Sequence, residues 1–142
     1  MSQTSRFNDY NQQLIANYRA NGGKLTGPFT GRKLLLLTTT GAKSGREHTA
    51  PVAYTHDGDR LVVIASKGGA PTNPAWYHNL AAHPEVTVEL GAERFTARAV
   101  VSEGAERERL FAQMAEQMPN FAEYQRNTTR QLPVIVLERV AA

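Results

Sequence analysis

The sequence predicts an α+β fold dominated by β structure, an antiparallel barrel with helices at its periphery. Strand-like segments follow one another through tight turns at Asp57-Gly58 and Gly91-Ala92, so sequential neighbours pair antiparallel. Helix-like segments stand at the ends of these runs rather than between every pair of strands, which argues against a doubly wound parallel sheet. The predicted order is helix, three strands, helix, two strands, two helices, strand, within a single domain over residues 1–142.

Phe7, Tyr10, Leu14, Ile15 and Tyr18 recur at helical spacing, so residues 6–20 form an amphipathic helix within an N-terminal segment 1–23 closed by Asn21-Gly22-Gly23. Its polar face carries Asn and Gln rather than Lys and Arg. Packing on the core is therefore favoured over a membrane-surface role, with a lid over a site as the other sharp alternative. After a loop at Thr26-Gly27-Pro28-Phe29, Lys33 to Thr40 has strand composition, leucines followed by β-branched threonines. Gly41-Ala42-Lys43-Ser44-Gly45-Arg46 makes a glycine-bounded turn, and Thr49 to His56 is the second strand, where Pro51 marks an edge or a bulge. Arg60 to Ser66 pairs back across Asp57-Gly58, which completes a meander.

Asn73-Pro74 reads as an N-cap followed by proline at the first helical position, opening a helix that carries Trp76 and ends by His83-Pro84. Val86, Val88 and Leu90 alternate with polar residues, as do Phe95, Ala97, Ala99 and Val101 beyond the Gly91-Ala92 turn. Ser102 caps a helix with Leu110, Phe111, Met114 and Met118 on one face, stopped before Pro119. Asn120 with Glu123 opens a short helix in capping-box style, and Pro133 to Val140 is the last strand.

Composition narrows the function classes. The chain has no cysteine, which removes disulfides, thiolate nucleophiles and Cys-based zinc sites and fits a reducing cytoplasm. Its longest aliphatic run, Leu34 to Leu37, is too short to span a bilayer. A net charge of +3 and pI near 9.4 suit an anionic ligand or weak peripheral contact with the inner face of a cell membrane. Nucleic acid lacks any aromatic-and-basic motif. The four histidines show no metal-ligand spacing, and no serine has a nucleophile-elbow context.

Two glycine-bounded turns follow apolar strands, Gly41 to Arg46 and Lys67 to Asn73. In a meander the first and third strands run the same way, so both turns lie at one end of the barrel. Lys43, Arg46 and Lys67 then surround one mouth, with His48 just inside the second strand. Such a cluster suits phosphate or carboxylate, although basic residues also favour exposed turns for no reason but solvation. With an aromatic set of Trp76, Tyr77, Phe121 and Tyr124 and no nucleophile, the chain reads as a binding protein or as an enzyme whose cofactor carries the reaction.

Leu37 to Arg46, the run Ala65-Ser66-Lys67-Gly68-Gly69 continued through Asn73-Pro74-Ala75-Trp76-Tyr77-His78-Asn79-Leu80, His83 to Val86, Pro119 to Tyr124 and Leu132 to Val136 together resemble the deazaflavin-dependent nitroreductase family of actinobacteria, which includes F420H2-dependent quinone reductases. That resemblance implies a split β-barrel of the FMN-binding-like type and coenzyme F420, a deazaflavin with a polyanionic phospholactyl-oligoglutamate tail. It further implies hydride transfer to a small-molecule acceptor: a quinone, a nitroaromatic or an activated enone. By the same resemblance, Lys43 and the turn around it with Ser44 and Arg46 meet the phosphate and tail, Ser66, Lys67 and Gly68 lie along the deazaflavin, and His48, Pro51 and Ala65 belong to the cofactor site. Trp76 and Asn79 close the pocket. Some nitroreducing members have tyrosines where this chain has Met118 and Phe121, and arginine where it has His48. Met118 and Phe121 then line the substrate pocket, and Tyr124, which is retained, is the candidate proton donor. The alternatives are an FMN-dependent oxidoreductase on the same barrel and a non-catalytic carrier of F420 or lipid, with the protein a monomer or a homodimer.

Overall fold

The computed structural model describes residues 3–27 and 33–140, with the side chains of residues 3–8 outside the described set. The side chain of Phe7 in the first helical stripe and the Pro28-Phe29 part of the following loop thus lie outside the described set.

Helix α1 (Gln3–Ala20) is followed by β1 (Leu34–Thr40), β2 (Glu47–Asp57) and β3 (Arg60–Ile64). A 3-10 turn (Lys67–Gly69) leads to α2 (Ala75–Ala82), then come β4 (Glu85–Leu90) and β5 (Glu93–Val101), α3 (Gly104–Gln117), α4 (Asn120–Arg126) and β6 (Val134–Arg139). The strands close into an antiparallel barrel in the order β1-β2-β3-β6-β5-β4, with β4 returning to β1. This is the split-barrel architecture that the resemblance implies.

Strands with continuous apolar runs are buried on both faces. On β1, Leu35 and Leu37 point into the barrel while Leu34 and Leu36 pack beneath Leu14, Ile15 and Tyr18 of α1. On β3, Leu61 and Val63 face inward, and Val62 and Ile64 lie under Leu110, Met114 and Phe121 of α3 and α4. β6 repeats the pattern, Ile135 and Leu137 inside, Val134 and Val136 beneath the helices. α1 seals one outer wall and α3 with α4 another, while β4 and β5, which alternate, keep an outer face wet. Among the described residues no helix is long and apolar enough to cross a membrane.

β2 changes partner along its length: Glu47 to Ala53 pair with β1, and Tyr54 to Asp57 pair with β3. Pro51 falls where β2 is paired on one side only, so its missing N–H breaks no second ladder. It marks an edge, not a bulge.

The expected caps are not made. α2 begins after Pro74, without a side-chain cap, because Asn73 Oδ1 accepts from Arg130 Nη1 at 2.6 Å. Ser102 Oγ donates to the Val134 carbonyl at 2.7 Å and ties β5 to β6, while Glu103 occupies the α3 N-cap without a side-chain bond. Asn120 Nδ2 donates to the Tyr124 hydroxyl at 3.1 Å instead of forming a capping box. For Asn73 and Ser102 a tertiary partner outcompetes the cap, and for Asn120 a side chain one turn on in the same helix does.

The β2–β3 hairpin is fastened to α3 by Asp57, which accepts from Arg109 at 3.0 and 3.1 Å and from Arg60. These guanidinium bonds hold the Asp57 carboxyl well below the usual carboxylate range. A depressed folded-state pKa contributes stability that is present above the unfolded value, about 4, and is lost as pH falls below it. Asp57→Asn should therefore lower the thermal midpoint at neutral pH, and the gap to wild type should shrink as pH drops below about 4. A gap that is constant from neutral to acid pH would contradict this.

Candidate active site

A cleft lies along the first half of β2, which pairs with β1 but not with β3, and takes in the ends of β1 and β3. It encloses about 1180 Å3 and runs from the Gly41 turn across the barrel wall to α1 and α4. Pockets for drug-sized ligands are about 300–1000 Å3, so this cleft has room for a ring-bearing cofactor and a second molecule.

One end is cationic. The β1–β2 turn presents Lys43, Ser44 and His48, and the segment after β3 presents Ser66 and Lys67, so the two glycine turns do meet at one barrel end. Gly41 N donates to Arg46 O at 2.7 Å and Gly45 N to Gly41 O at 3.0 Å, which closes the first turn on itself. A Cβ at Gly41 would run into Ser44 Oγ and lie 3.1 Å from His48 Nε2, so only glycine lets these side chains gather over the turn. Asn79 anchors the turn from α2. Its Oδ1 accepts from Ala42 N at 3.0 Å and its Nδ2 donates to Thr39 Oγ1 at 3.1 Å. The buried Asn79 thus sets the height of the Lys43 loop above the barrel.

The second cationic segment is strained. Lys67 has φ +48°, a left-handed conformation that costs a side-chain-bearing residue about 1–3 kcal/mol and persists only where the surroundings enforce it. Its Nζ reaches Thr72 Oγ1 at 3.4 Å, and Gly68 lies beside it in the same 3-10 turn.

The remaining wall is apolar and aromatic: Leu34, Ala50, Pro51, Val52, Ala53, Ile64 and Trp76. The far end is framed by Asn120, Phe121 and Tyr124 of α4 and by Tyr10, Asn11 and Leu14 of α1. Phe121 is buried, and its ring meets that of Tyr124 edge-on at 5.7 Å. Because the Tyr124 oxygen accepts from Asn120, the phenolic O–H remains available as a donor.

Not every expected residue borders the cleft. Lys43, Ser44, His48, Pro51, Ser66, Lys67, Trp76, Asn79, Phe121 and Tyr124 line it; Arg46, Ala65 and Met118 do not. Arg46 is exposed beyond the turn, where its amide donates to Ser44 Oγ. Ala65 is fully buried in the barrel core, its amide donating to Pro133 O. Met118 packs into the cluster of Val62, Ile64 and Met114. Tyr77 of the aromatic set packs against the barrel interior. Sequence reasoning missed Tyr10 and Asn11, which reach the cleft only because α1 crosses β1 and β2, and Arg130, whose partners are remote in sequence.

A closed antiparallel barrel with a ring-sized apolar cleft and a lysine-bearing rim defines a protein of the ligand-binding split-barrel class. Comparison with known proteins sharpens that class. The family model described as F420H(2)-dependent quinone reductase matches residues 11–139. An F420H(2)-dependent quinone reductase of Mycobacterium tuberculosis is 41% identical over 128 residues, covering 87% of this chain and 86% of the relative. The solved structure of an F420-H2 dependent reductase is 40% identical with a TM-score of 0.70, covering 75% of this chain and 95% of that one. A second structure, described as a domain-swapped dimer, is 34% identical with a TM-score of 0.72, covering 96% of this chain and 100% of that one. The chain belongs to the F420H(2)-dependent quinone reductase family.

Asn79→Ala should leave the Ala42 amide and the Thr39 hydroxyl without their partner, at a cost of about 1–3 kcal/mol. Denaturant unfolding measures it, and a loss within error of zero would mean that water replaces the amide.

Proposed function

We propose that this protein is an F420H2-dependent oxidoreductase that reduces a quinone-like or enone-like acceptor in this cleft. The observation that carries the reading is the division of one cleft into a rim bearing the Lys43 and Lys67 ammonium groups beside His48, and an apolar aromatic body. That division matches a ligand with a flat ring and a polyanionic tail, so the residues present fit coenzyme F420. When bound, the reduced deazaflavin supplies a hydride.

The protein's own residues do the rest. Lys43 and Lys67 bring ammonium charges to the tail, as compact point charges suited to phosphate and carboxylate. Pro51, Val52 and Trp76 form apolar surface for the ring. Leu34, Ile64 and Phe121 keep water from the reacting pair, which protects the hydride from a competing proton source. Tyr124, polarised by Asn120, donates its hydroxyl proton to the acceptor oxygen as negative charge builds there, and so completes a two-electron reduction of quinone to hydroquinone. With phenylalanine at position 121, a second phenolic donor is missing beside Tyr124, which favours a carbonyl acceptor over a nitro group that needs further protonation.

Mixing the purified protein with F420H2 and menadione should regenerate the absorbance of oxidised F420. Absence of both cofactor binding and oxidation across a panel of quinones and enones would sink the reading. Lys43→Ala should weaken binding of long-tailed F420 by about tenfold while scarcely changing the rate at saturating cofactor. Tyr124→Phe should keep cofactor affinity and lower kcat by about 100-fold. An unchanged kcat would move the proton source elsewhere.

A further inference from the structure

We propose that Arg130 is a positioning residue for the cofactor-facing turn after β3, a role that rests on the functional reading above. Arg130 lies in the loop between α4 and β6, yet its guanidinium is spent on the segment from Ala65 to Asn73. Nε donates to Ala70 O at 2.8 Å and Nη2 to Ser66 O at 2.9 Å. Nη1 donates to Asn73 Oδ1 at 2.6 Å and to Ala65 O at 3.3 Å. A planar fork with fixed N–H directions thus dictates where the backbone before and after Lys67 must lie.

That backbone would not hold its shape unaided. Lys67 sits at φ +48°, and the carbonyls that flank its turn, those of Ser66 and Ala70, are the ones Arg130 grips. Gly69 supplies the other constraint. A Cβ there would lie 3.0 Å from Tyr124 O and 3.2 Å from Tyr124 Cα, so the turn rests backbone to backbone on α4. Arg130 and Gly69 together fix Ser66 and Lys67, which line the cofactor end of the cleft, relative to the helix bearing Tyr124.

The charge also counts. Among the described residues Arg130 meets neutral acceptors and no carboxylate, and burial pulls its guanidinium below its usual range. Its positive charge is therefore not cancelled by an ion pair and adds to the field that Lys43 and Lys67 present to an anionic ligand.

Arg130→Gln and Arg130→Lys test the role, with Arg109→Gln as control because the Arg109–Asp57 ion pair lies off the cleft. Fluorescence titration should show F420 binding weakened by about tenfold or more in Arg130→Gln and by several-fold in Arg130→Lys, which keeps the charge but not the fork, with Arg109→Gln binding as wild type. Without any ligand, amide hydrogen exchange at Ser66 to Ala70 should accelerate in Arg130→Gln while the barrel strands stay protected. Wild-type affinity in Arg130→Lys overturns the role even if Arg130→Gln does not fold. Wild-type affinity in a folded Arg130→Gln does the same. If the wild-type protein itself does not bind F420, the functional reading falls and this role with it; wild-type binding with indifferent variants overturns this role alone.

Discussion

The structure depends on one constraint, the change of partner along β2. β2 has eleven residues while β1 has seven and β3 five, and the registers place Glu47 to Ala53 against one neighbour and Tyr54 to Asp57 against the other. The seam that results would be a defect if nothing lined it. Here it is floored by Pro51 and Val52, flanked by the ends of β1 and β3, and walled by α1 and α4. The cleft is the space that barrel closure leaves over.

That origin explains why both cationic segments stand at one end. β1 and β3 run in the same direction, each delivers its turn at the same rim, and each turn, partly closed by its own backbone bonds, is finished by an outside anchor. Asn79 anchors the first through Ala42 and Thr39, and Arg130 anchors the second through the carbonyls around Lys67. Neither anchor belongs to the strand that carries the turn. The site is held by long-range polar contacts laid over a barrel that apolar packing holds.

The barrel was legible in the sequence because its signals are local: alternation on β4 and β5, leucines on both faces of β1, Asp57-Gly58 between β2 and β3. The glycine turns were legible for the same reason. Local signals failed where a side chain had a better tertiary partner, as with Asn73 and Ser102, which carry cap chemistry and spend it elsewhere. Arg130 has no local signature, since its acceptors are 57 to 65 positions away along the chain. Arg46 and Lys43 share a turn and a charge, and which of them borders the cleft is set by the twist that the fold imposes on that turn.

The contact between Gly69 and Tyr124 is made by main chain on both sides. Exposed side chains on α4 take no part in seating the Lys67 turn. Cleft-facing side chains of α4 such as Tyr124 can thus change the lining of the cleft without touching the backbone contact that seats the turn.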